Sequence, residues 1–277
     1  MSESSPIVNS NPWRQLRQFT DARIGLGRAG ISLPTQELLN FQLCHAQAID
    51  AVHCPLNVAK LQSDLVAAGI IDLSDEAPSL ESLASDRGTY LQRPDLGRLL
   101  SGASRDFLAA RFTSKVGAYD LAIVVVDGLS SFAVQTNAVQ MLVELHAALE
   151  TSAVGLRLSP PVIVEQGRVA IGDDIGDVLS AKAVLVLVGE RPGLSSPDSL
   201  GAYLTWQPHR GRKDSDRNCI SNIRPAGLSY SNASQRLRYL IREAFRRQLS
   251  GVALKDRSEE VVIDNDKQRD NRSFLTK

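Results

Sequence analysis

Two runs of consecutive apolar residues restrict the fold of this chain more than any other feature of its sequence. The first run is LAIVVVD at residues 121–127, and the second is AVLVLVG at residues 183–189. A strand with one solvated face alternates apolar and polar side chains, whereas these runs are apolar on both faces. Such strands lie in the centre of parallel sheets that helices cover on both sides, so the sequence predicts an α/β fold.

Further segments extend this pattern towards the C-terminus. The segments PVIVE at residues 161–165 and AYLTW at residues 202–206 predict two more strands. A closing helix is predicted at residues 231–249, with apolar side chains on one face and arginines on the other. Because strands that alternate with helices form a doubly wound sheet, we predict a Rossmann-like, mostly parallel sheet domain over residues 117–254.

The chain before this domain has a helical pattern instead. Thr35 is placed to cap a helix that runs to Pro55, and weaker helical segments follow at residues 58–68 and 99–112. We therefore predict a helical N-terminal region over residues 12–116. The apolar face of its first helix contains Leu38, Phe41, His45, Ala48 and Val52. We interpret the histidine on this face as a core residue rather than a ligand.

The composition and the ends of the chain restrict the class of function. Lysine plus arginine and aspartate plus glutamate both number 31, so no bulk charge favours nucleic acid or acidic membranes. The cysteines Cys44, Cys54 and Cys219 lack metal-ligand and C-x-x-C spacing and predict reduced thiols in the cytoplasm. Residues 1–11 and 255–277 have little to bury and are predicted to be disordered. Without a secretory signal or a run of about 18 apolar residues, the chain is expected to be soluble and cytoplasmic.

Two loops leave the apolar strands at their carboxyl ends, where ligands bind in open α/β sheets. In the first loop, Gly128 after Asp127 allows the backbone to approach a ligand, although an ordinary turn before a helix explains it as well. In the second loop, GERPG, Glu190 is an acceptor at the edge of the sheet, with a surface ion pair to Arg191 or Arg168 as the alternative. No GxGxxG motif follows either strand, so a dinucleotide cofactor is disfavoured.

Two other segments carry nucleophilic side chains. Cys219 lies in RNCISNIRP, which we interpret as a loop, and Arg217 is close enough in sequence to lower the pKa of the thiol. No base adjoins Cys219 in sequence, which favours a packing or ligand-lining role. Ser195, Ser196 and Ser199 are not part of a G-x-S-x-G motif, so a Ser/His hydrolase is disfavoured.

Three longer blocks are similar to one known family. They are ARIGLGRAG with SLPTQELLNFQLCHAQAIDAVH near the start, VVVDGLS in the middle, and GERPGLSSPDSLGAYLTWQP with GRKDSDRNCISNIRPAGLSY towards the end. In these blocks, from about residue 12 to residue 253, the chain resembles the small (light) subunits of adenosylcobalamin-dependent ethanolamine ammonia-lyases. The tail after Lys255 lies outside the pattern of this family.

The resemblance implies a shared cofactor site and a partner. Family members work with a large subunit whose barrel binds substrate, and the complex uses a 5′-deoxyadenosyl radical to convert ethanolamine to acetaldehyde and ammonia. The cobalamin lies between the two subunits, and the matching contact positions here are Val169 in GRVAIGD, Glu190 in GERPG and Cys219 in RNCISN. The resemblance implies no catalytic residue on this chain. No metal ligand is expected either, because the cobalt-ligating motif Asp-x-His-x-x-Gly is absent.

Two other hypotheses stay open at this point. In the first hypothesis, the chain is an assembly subunit without direct cofactor contact. In the second, it is a stand-alone nucleotide-dependent enzyme of Rossmann type. The missing GxGxxG motif and the missing acid–base pair count against the second of these. Enclosure of the complex in a bacterial microcompartment is left open by the sequence.

Overall fold

The computed structural model describes residues 7–20, 22–72, 77–112, 119–150 and 155–258. Within these ranges the α-helices are α1 (Thr35–His53), α2 (Val58–Ala67), α3 (Arg87–Gln92), α4 (Gly102–Phe112), α5 (Ser131–Glu150), α6 (Ile171–Val178) and α7 (Tyr230–Arg247). The strands are β1 (Ser79–Glu81), β2 (Leu121–Val126), β3 (Val162–Glu165), β4 (Ala183–Gly189), β5 (Leu200–Trp206) and β6 (Arg217–Ile223). The predicted boundary between residues 116 and 117 lies outside the described residues, as do most of the predicted disordered tail and residues 1–6 of the predicted disordered N-terminus.

The six strands form one sheet in the order β1-β3-β2-β4-β5-β6. The strands β1, β3, β2 and β4 are parallel to one another, whereas β5 is antiparallel to β4 and β6 is antiparallel to β5. The chain is therefore a mixed α/β protein with a mostly parallel sheet, as the two apolar runs predicted. The predicted strand at residues 202–206 is β5, which returns antiparallel along β4.

Residues of β2 alternate between two hydrophobic cores. The odd-numbered residues pack with side chains of α2, α5 and α7 on one face of the sheet. The even-numbered residues pack with side chains of α4 and α6 on the other face. Because both faces are covered, every side chain of β2 is buried, and each fully buried aliphatic side chain contributes about 1.5–3 kcal/mol.

The connections of the central strands reverse direction at β2. From β2 the chain passes through α5 to β3 on one side of β2, and then through α6 to β4 on its other side. The two helices lie on opposite faces of the sheet. Ligands in open α/β sheets bind where the strand order reverses, at the carboxyl ends of the strands. This topology directs attention to the ends of β2, β3 and β4.

Two strands were not predicted, and the interpretation of RNCISNIRP as a loop is wrong. Residues Arg217–Ile223 of this segment form β6, where buried residues recur at every third position instead of every second. An irregular register between β5 and β6 near Leu200 and Ala202 disrupts the alternation that identifies strands from sequence. The other missed strand, β1, has only three residues, which is too short to show a period. It lies within the region predicted to be helical.

The described residues leave much of the apolar face of α1 uncovered. Leu38 and Phe41 on that face are exposed. The interpretation of His45 as a core residue is therefore wrong, because its ring is exposed and stacks against that of Phe41 with 6.3 Å between centroids. Thr35 does not cap the helix: Pro34 occupies the N-cap position, and no side chain accepts a capping hydrogen bond there.

The residues before α1 pack on one another and on α1. Asn9 and Arg28 exchange backbone hydrogen bonds of 2.8 and 3.0 Å, although residues 1–11 were predicted to be disordered. The Arg23 guanidinium lies over the Phe41 ring, 4.7 Å from its centroid. Among the described residues, no helix has both the length and the apolar character needed to span a membrane.

Candidate functional site

The ends of β2 and β4 meet with almost no space between them. Gly128 follows β2 with φ of +60°, and the next residue, Leu129, donates its backbone N–H to the Gly189 oxygen at 2.9 Å. A Cβ on Gly128 would overlap that oxygen, and a Cβ on Gly189 would overlap the backbone of Ser130. The two glycines therefore allow the strand ends to pack against each other.

Asp127 is buried beneath this contact and is satisfied within the protein. Its carboxylate accepts backbone N–H groups of Gln166 at 2.9 Å and Gly167 at 3.1 Å, and the Arg87 guanidinium lies 3.6 Å away. Burial raises the pKa of Asp127 to about 6, despite the N–H donors and Arg87, which act in the opposite direction. The side chain joins β2 to the turn after β3, so its role is structural.

Glu190, the first residue after β4, is held by three donors. The hydroxyl groups of Ser199 and Ser221 and the backbone N–H of Asn222, at 3.1 Å, donate to its carboxylate. No ion pair of Glu190 occurs within the described part of the chain, so the alternative of a surface ion pair is not found. A carboxylate offers about four acceptor positions. Glu190 is therefore fixed in place with acceptor capacity remaining.

Two pockets that share part of their lining lie at this edge of the sheet; we call them together the edge cavity and each of them a lobe. The first lobe, of about 400 Å³, is lined by residues that include Glu190. The second lobe, of about 600 Å³, is lined by residues that include Cys219. Arg168, Val169 and Tyr203 line both lobes. The structure thus places Val169, Glu190 and Cys219, the three contact positions that the family resemblance implies, along one cavity.

Cys219 does not have the electrostatic environment that the sequence suggested. Cys219 is exposed, yet neighbouring groups partly desolvate its thiol and thereby raise its pKa, and the negative charge of Glu190 raises it further. Arg217 does not lower this pKa, because its guanidinium binds the buried Asp173 carboxylate at 2.6 and 2.7 Å. Tyr203 faces Cys219 across β5 and β6, and burial raises the pKa of its phenol as well. Both groups are protonated at neutral pH, and Cys219 is a poor nucleophile.

An aromatic residue that the sequence analysis missed supports the floor of the edge cavity. Tyr90 of α3 is fully buried and donates its hydroxyl to the Gly167 oxygen at 3.0 Å. The guanidinium groups of Arg87 and Arg168 lie over its ring, 4.8 and 4.4 Å from the centroid. No pattern in the sequence indicates Tyr90, because it reaches the sheet from the N-terminal region. Arg168 could have been found, since it directly precedes Val169 in the motif GRVAIGD.

The lining of the edge cavity suits binding better than catalysis. Among the described residues that line it, there is no histidine, and therefore no Ser–His or Cys–His pair. Within the same described ranges, no cluster of three His, Cys, Asp or Glu side chains could hold a metal ion. What remains is a set of fixed hydrogen-bond donors and acceptors beside the apolar side chain of Val169.

Comparison with known proteins gives a consistent result over nearly the whole chain. A family model described as ethanolamine ammonia-lyase light chain (EutC) matches residues 10–255. A similar protein, named ethanolamine ammonia-lyase small subunit, occurs in Pseudomonas fluorescens strain Pf-5; it is 52% identical over 268 residues, covering 97% of this chain and 95% of the relative.

Proteins with the same name occur in two other species. The one from Pseudomonas aeruginosa strain PAO1 is 52% identical over 267 residues, covering 96% of this chain and 95% of the relative. The one from Azotobacter vinelandii strain DJ is 53% identical over 264 residues, covering 95% of each. The matched range of the family model includes every residue of the edge cavity.

Proposed function

Because this chain belongs to the ethanolamine ammonia-lyase light-chain family and is a component of an ammonia-lyase, we propose that its edge cavity binds adenosylcobalamin together with the large subunit. The name small subunit implies such a partner. The complex then converts ethanolamine to acetaldehyde and ammonia by a radical mechanism, with this chain holding one side of the cofactor.

The placement of three residues carries this proposal. Val169 lies in the turn before α6, Glu190 follows β4, and Cys219 lies on β6, yet all three line the edge cavity. The three residues belong to separate sequence motifs, GRVAIGD, GERPG and RNCISN. Their convergence where the strand order reverses supports a ligand site there.

The chemistry of these residues fits a corrinoid. A corrin is a broad disc with primary carboxamides on its periphery, so it requires hydrogen-bonding groups along a wide edge. Glu190 accepts an N–H of such an amide, and its three internal donors keep it in position for that bond. Val169 offers an apolar surface to the ligand, and Cys219 offers a small side chain with a protonated thiol.

The residues of this chain position the cofactor, and they do not carry out the reaction. When bound, adenosylcobalamin supplies the radical chemistry, and the protein supplies orientation and exclusion of water. We assign no base or nucleophile to the edge cavity, and we propose that the groups that bind substrate belong to the large subunit. We expect no cobalt ligand from this chain.

We extend the proposal to the organisation and location of the chain. Residues 12–116 form a mainly helical region, and residues 117–254 form a Rossmann-like domain, with β1 of the first region completing the sheet of the second by pairing with β3. The crossover from β2 through β3 to β4 supports this topology. We place the complex in the cytoplasm, and its enclosure in a bacterial microcompartment is a further part of this hypothesis.

The second candidate function is assembly without cofactor contact. Large apolar side chains are exposed before α1, including Trp13, Phe19 and Ile31, and exposed patches of this kind mark contact with other molecules. Unlike the cofactor-binding function, this candidate predicts that substitutions at the edge cavity leave corrinoid binding by the complex unchanged.

The variant Glu190→Gln in the complex with the large subunit distinguishes the two candidates. Because a charge-assisted hydrogen bond contributes ~1.5–3 kcal/mol, its loss should raise the Kd for cobalamin about tenfold or more. Visible absorption of the corrinoid after equilibrium dialysis measures this affinity. The control is Glu150→Gln at the exposed end of α5. It removes the same negative charge as Glu190→Gln and leaves the edge cavity intact.

Two results would count against cofactor binding by this chain. One is an unchanged Kd for Glu190→Gln in a complex that assembles normally. The other is cobalamin bound with equal affinity by the large subunit alone. A thermal unfolding curve of each variant shows whether the hydrogen bonds from Ser199 and Ser221 are still made, because their loss lowers Tm.

A further inference from the structure

Arg168 differs from Arg98 and Arg217, two other arginines that line the edge cavity. Arg98 pairs with Asp214 at 3.5 Å, and Arg217 pairs with Asp173 at 2.6 Å. Arg168 forms no ion pair with any described residue. Its side chain lines both lobes of the cavity, between the positions of Glu190 and Cys219.

The hydrogen bonds of Arg168 are incomplete. One terminal nitrogen donates to the Tyr90 backbone oxygen at 3.4 Å, and its buried Nε has no hydrogen-bond partner among the described residues. A guanidinium carries five N–H donors. Unmatched donors in a partly buried position are unfavourable, and an acceptor supplied by a ligand removes that cost.

The position of the Arg168 guanidinium is nevertheless fixed. It lies over the ring of Tyr90, which Arg87 covers as well. Tyr90 is itself held by burial and by its bond to Gly167. A planar, stacked guanidinium directs its N–H groups in defined directions, and an ammonium group in the same place would not.

We propose that Arg168 donates hydrogen bonds to a carboxamide oxygen on the corrin periphery, as the counterpart of Glu190, which accepts from a carboxamide nitrogen. This inference rests on the proposed cofactor site. A primary amide has both an acceptor oxygen and donor N–H groups, so a ligand with amides around its edge needs both kinds of partner. Arg168 and Glu190 supply one of each along the same cavity.

The alternative acceptor is the phosphodiester of the cofactor's nucleotide loop, and the charges of the cavity disfavour it. Asp95 and Asp214 line the second lobe beside Arg168, and Glu190 lines the first. Arg98, Arg191 and Arg217 line the cavity as well, so the three carboxylates offset most of the positive charge. A phosphate would therefore gain little net attraction, whereas a neutral amide needs none. The balanced lining therefore favours a neutral ligand group with both donors and acceptors.

Corrinoid affinity of the complex with the large subunit tests this assignment. Arg168→Gln removes the charge and most donors, and Arg168→Lys keeps the charge and loses the stacked plane. We expect Arg168→Gln to raise the Kd about tenfold for both cyanocobalamin and dicyanocobinamide, with a smaller rise for Arg168→Lys. The control is Arg247→Gln at the exposed end of α7.

The two corrinoids separate the possible acceptors, because cobinamide has the amides and lacks the nucleotide loop. A loss of affinity limited to cyanocobalamin would overturn the carboxamide assignment in favour of the phosphodiester. Unchanged affinity of both variants for both corrinoids would overturn any contact from Arg168. If Arg168→Gln fails to assemble with the large subunit, the same comparison with Arg168→Lys decides between these outcomes.

Glu190→Gln, measured in parallel, separates this inference from the proposed function. If Glu190→Gln weakens binding and the Arg168 variants do not, the inference fails and the cofactor site stands. If none of these variants changes corrinoid affinity, the cofactor site fails and the inference fails with it. Equal Tm values for the variants and the unchanged protein would show that the losses come from binding.

Discussion

The helices α1 and α5 have similar apolar patterns and opposite environments. On α5, Met141, Leu142 and Leu145 are completely buried against the sheet. On the apolar face of α1, Leu38 and Phe41 are exposed. The comparison teaches that a helical period predicts a helix with an apolar face, but does not predict whether the chain itself covers that face.

The same contrast separates the whole sheet from the residues before α2. The strands and their helices form two cores that are covered from both sides. In the described part of the first 53 residues, only Pro34, Glu37 and Ala51 are buried. Glu37 is held there by Arg17, whose guanidinium donates two hydrogen bonds of 3.0 Å to its carboxylate.

A leucine on each helix gives the largest expected difference. Leu142→Ala on α5 should lower the free energy of unfolding of the isolated chain by about 3–5 kcal/mol, because its side chain is 0% exposed and a cavity would remain. Leu38→Ala on the apolar face of α1, where the side chain is 44% exposed, should change it by less than about 1 kcal/mol. Urea denaturation measures both. Similar losses for the two variants would show that α1 is covered in solution.

Two glycines give the next difference. Gly128 and Gly30 have φ of +60° and +61°, but only at Gly128 would a Cβ meet other atoms, those of Gly189 and Val188. Gly128→Ala should cost about 2–4 kcal/mol, from the left-handed conformation and from overpacking. Gly30→Ala should cost about 1–2 kcal/mol from the conformation alone. Thermal unfolding measures both, and equal costs would contradict the close contact between β2 and β4.

Two carboxylates predict opposite responses to pH. Burial raises the pKa of Asp127 from 3.8 to about 6, so its favourable contribution is complete below pH 3.8 and is lost as the pH rises through about 6. The hydrogen bonds from Arg17 hold the pKa of Glu37 below its ordinary 4.5, so its contribution is present above pH 4.5 and is lost as the pH falls. The two regions should therefore lose stability at opposite ends of the acidic range.

The variants Asp127→Asn and Glu37→Gln test these signs. Asp127→Asn should remove a decline in stability of about 1–3 kcal/mol between about pH 4 and about pH 7. Glu37→Gln should remove a smaller decline below about pH 4.5, because much of the Arg14 and Arg17 side chains is near solvent. Tm as a function of pH measures both slopes. A pH dependence of Tm with the opposite sign would contradict the assigned cause, which is burial for Asp127 and the hydrogen bonds from Arg17 for Glu37.

The sequence predicted the centre of the fold better than its edges. Runs that are apolar on both faces identify β2 and β4, since few other structures cover both sides of a strand. The same reasoning cannot find β6, where an irregular register and an exposed side remove the alternation. It also failed for His45, because the period places it on an apolar face that the described part of the chain leaves exposed.

The residues of the candidate site also differ in how well the sequence predicts them. The sequence indicates Glu190 from its place at the end of an apolar strand. In the structure, Ser199 directly before β5 and Ser221 and Asn222 on β6 donate hydrogen bonds to its carboxylate. Val169 was selected only from the family resemblance. Tyr90 was not selected at all, because its approach to the sheet depends on tertiary packing, which leaves no local period in the sequence.

A structure of this chain with the large subunit and cobalamin tests the central claim most directly. The quantity to measure is the distance from the Glu190 carboxylate to the nearest corrin carboxamide. The account predicts a hydrogen-bond distance of about 2.7–3.2 Å, with Val169 and Cys219 in contact with the same corrinoid. A corrin ring bound away from the ends of β2, β3 and β4, with the edge cavity facing solvent, would contradict it.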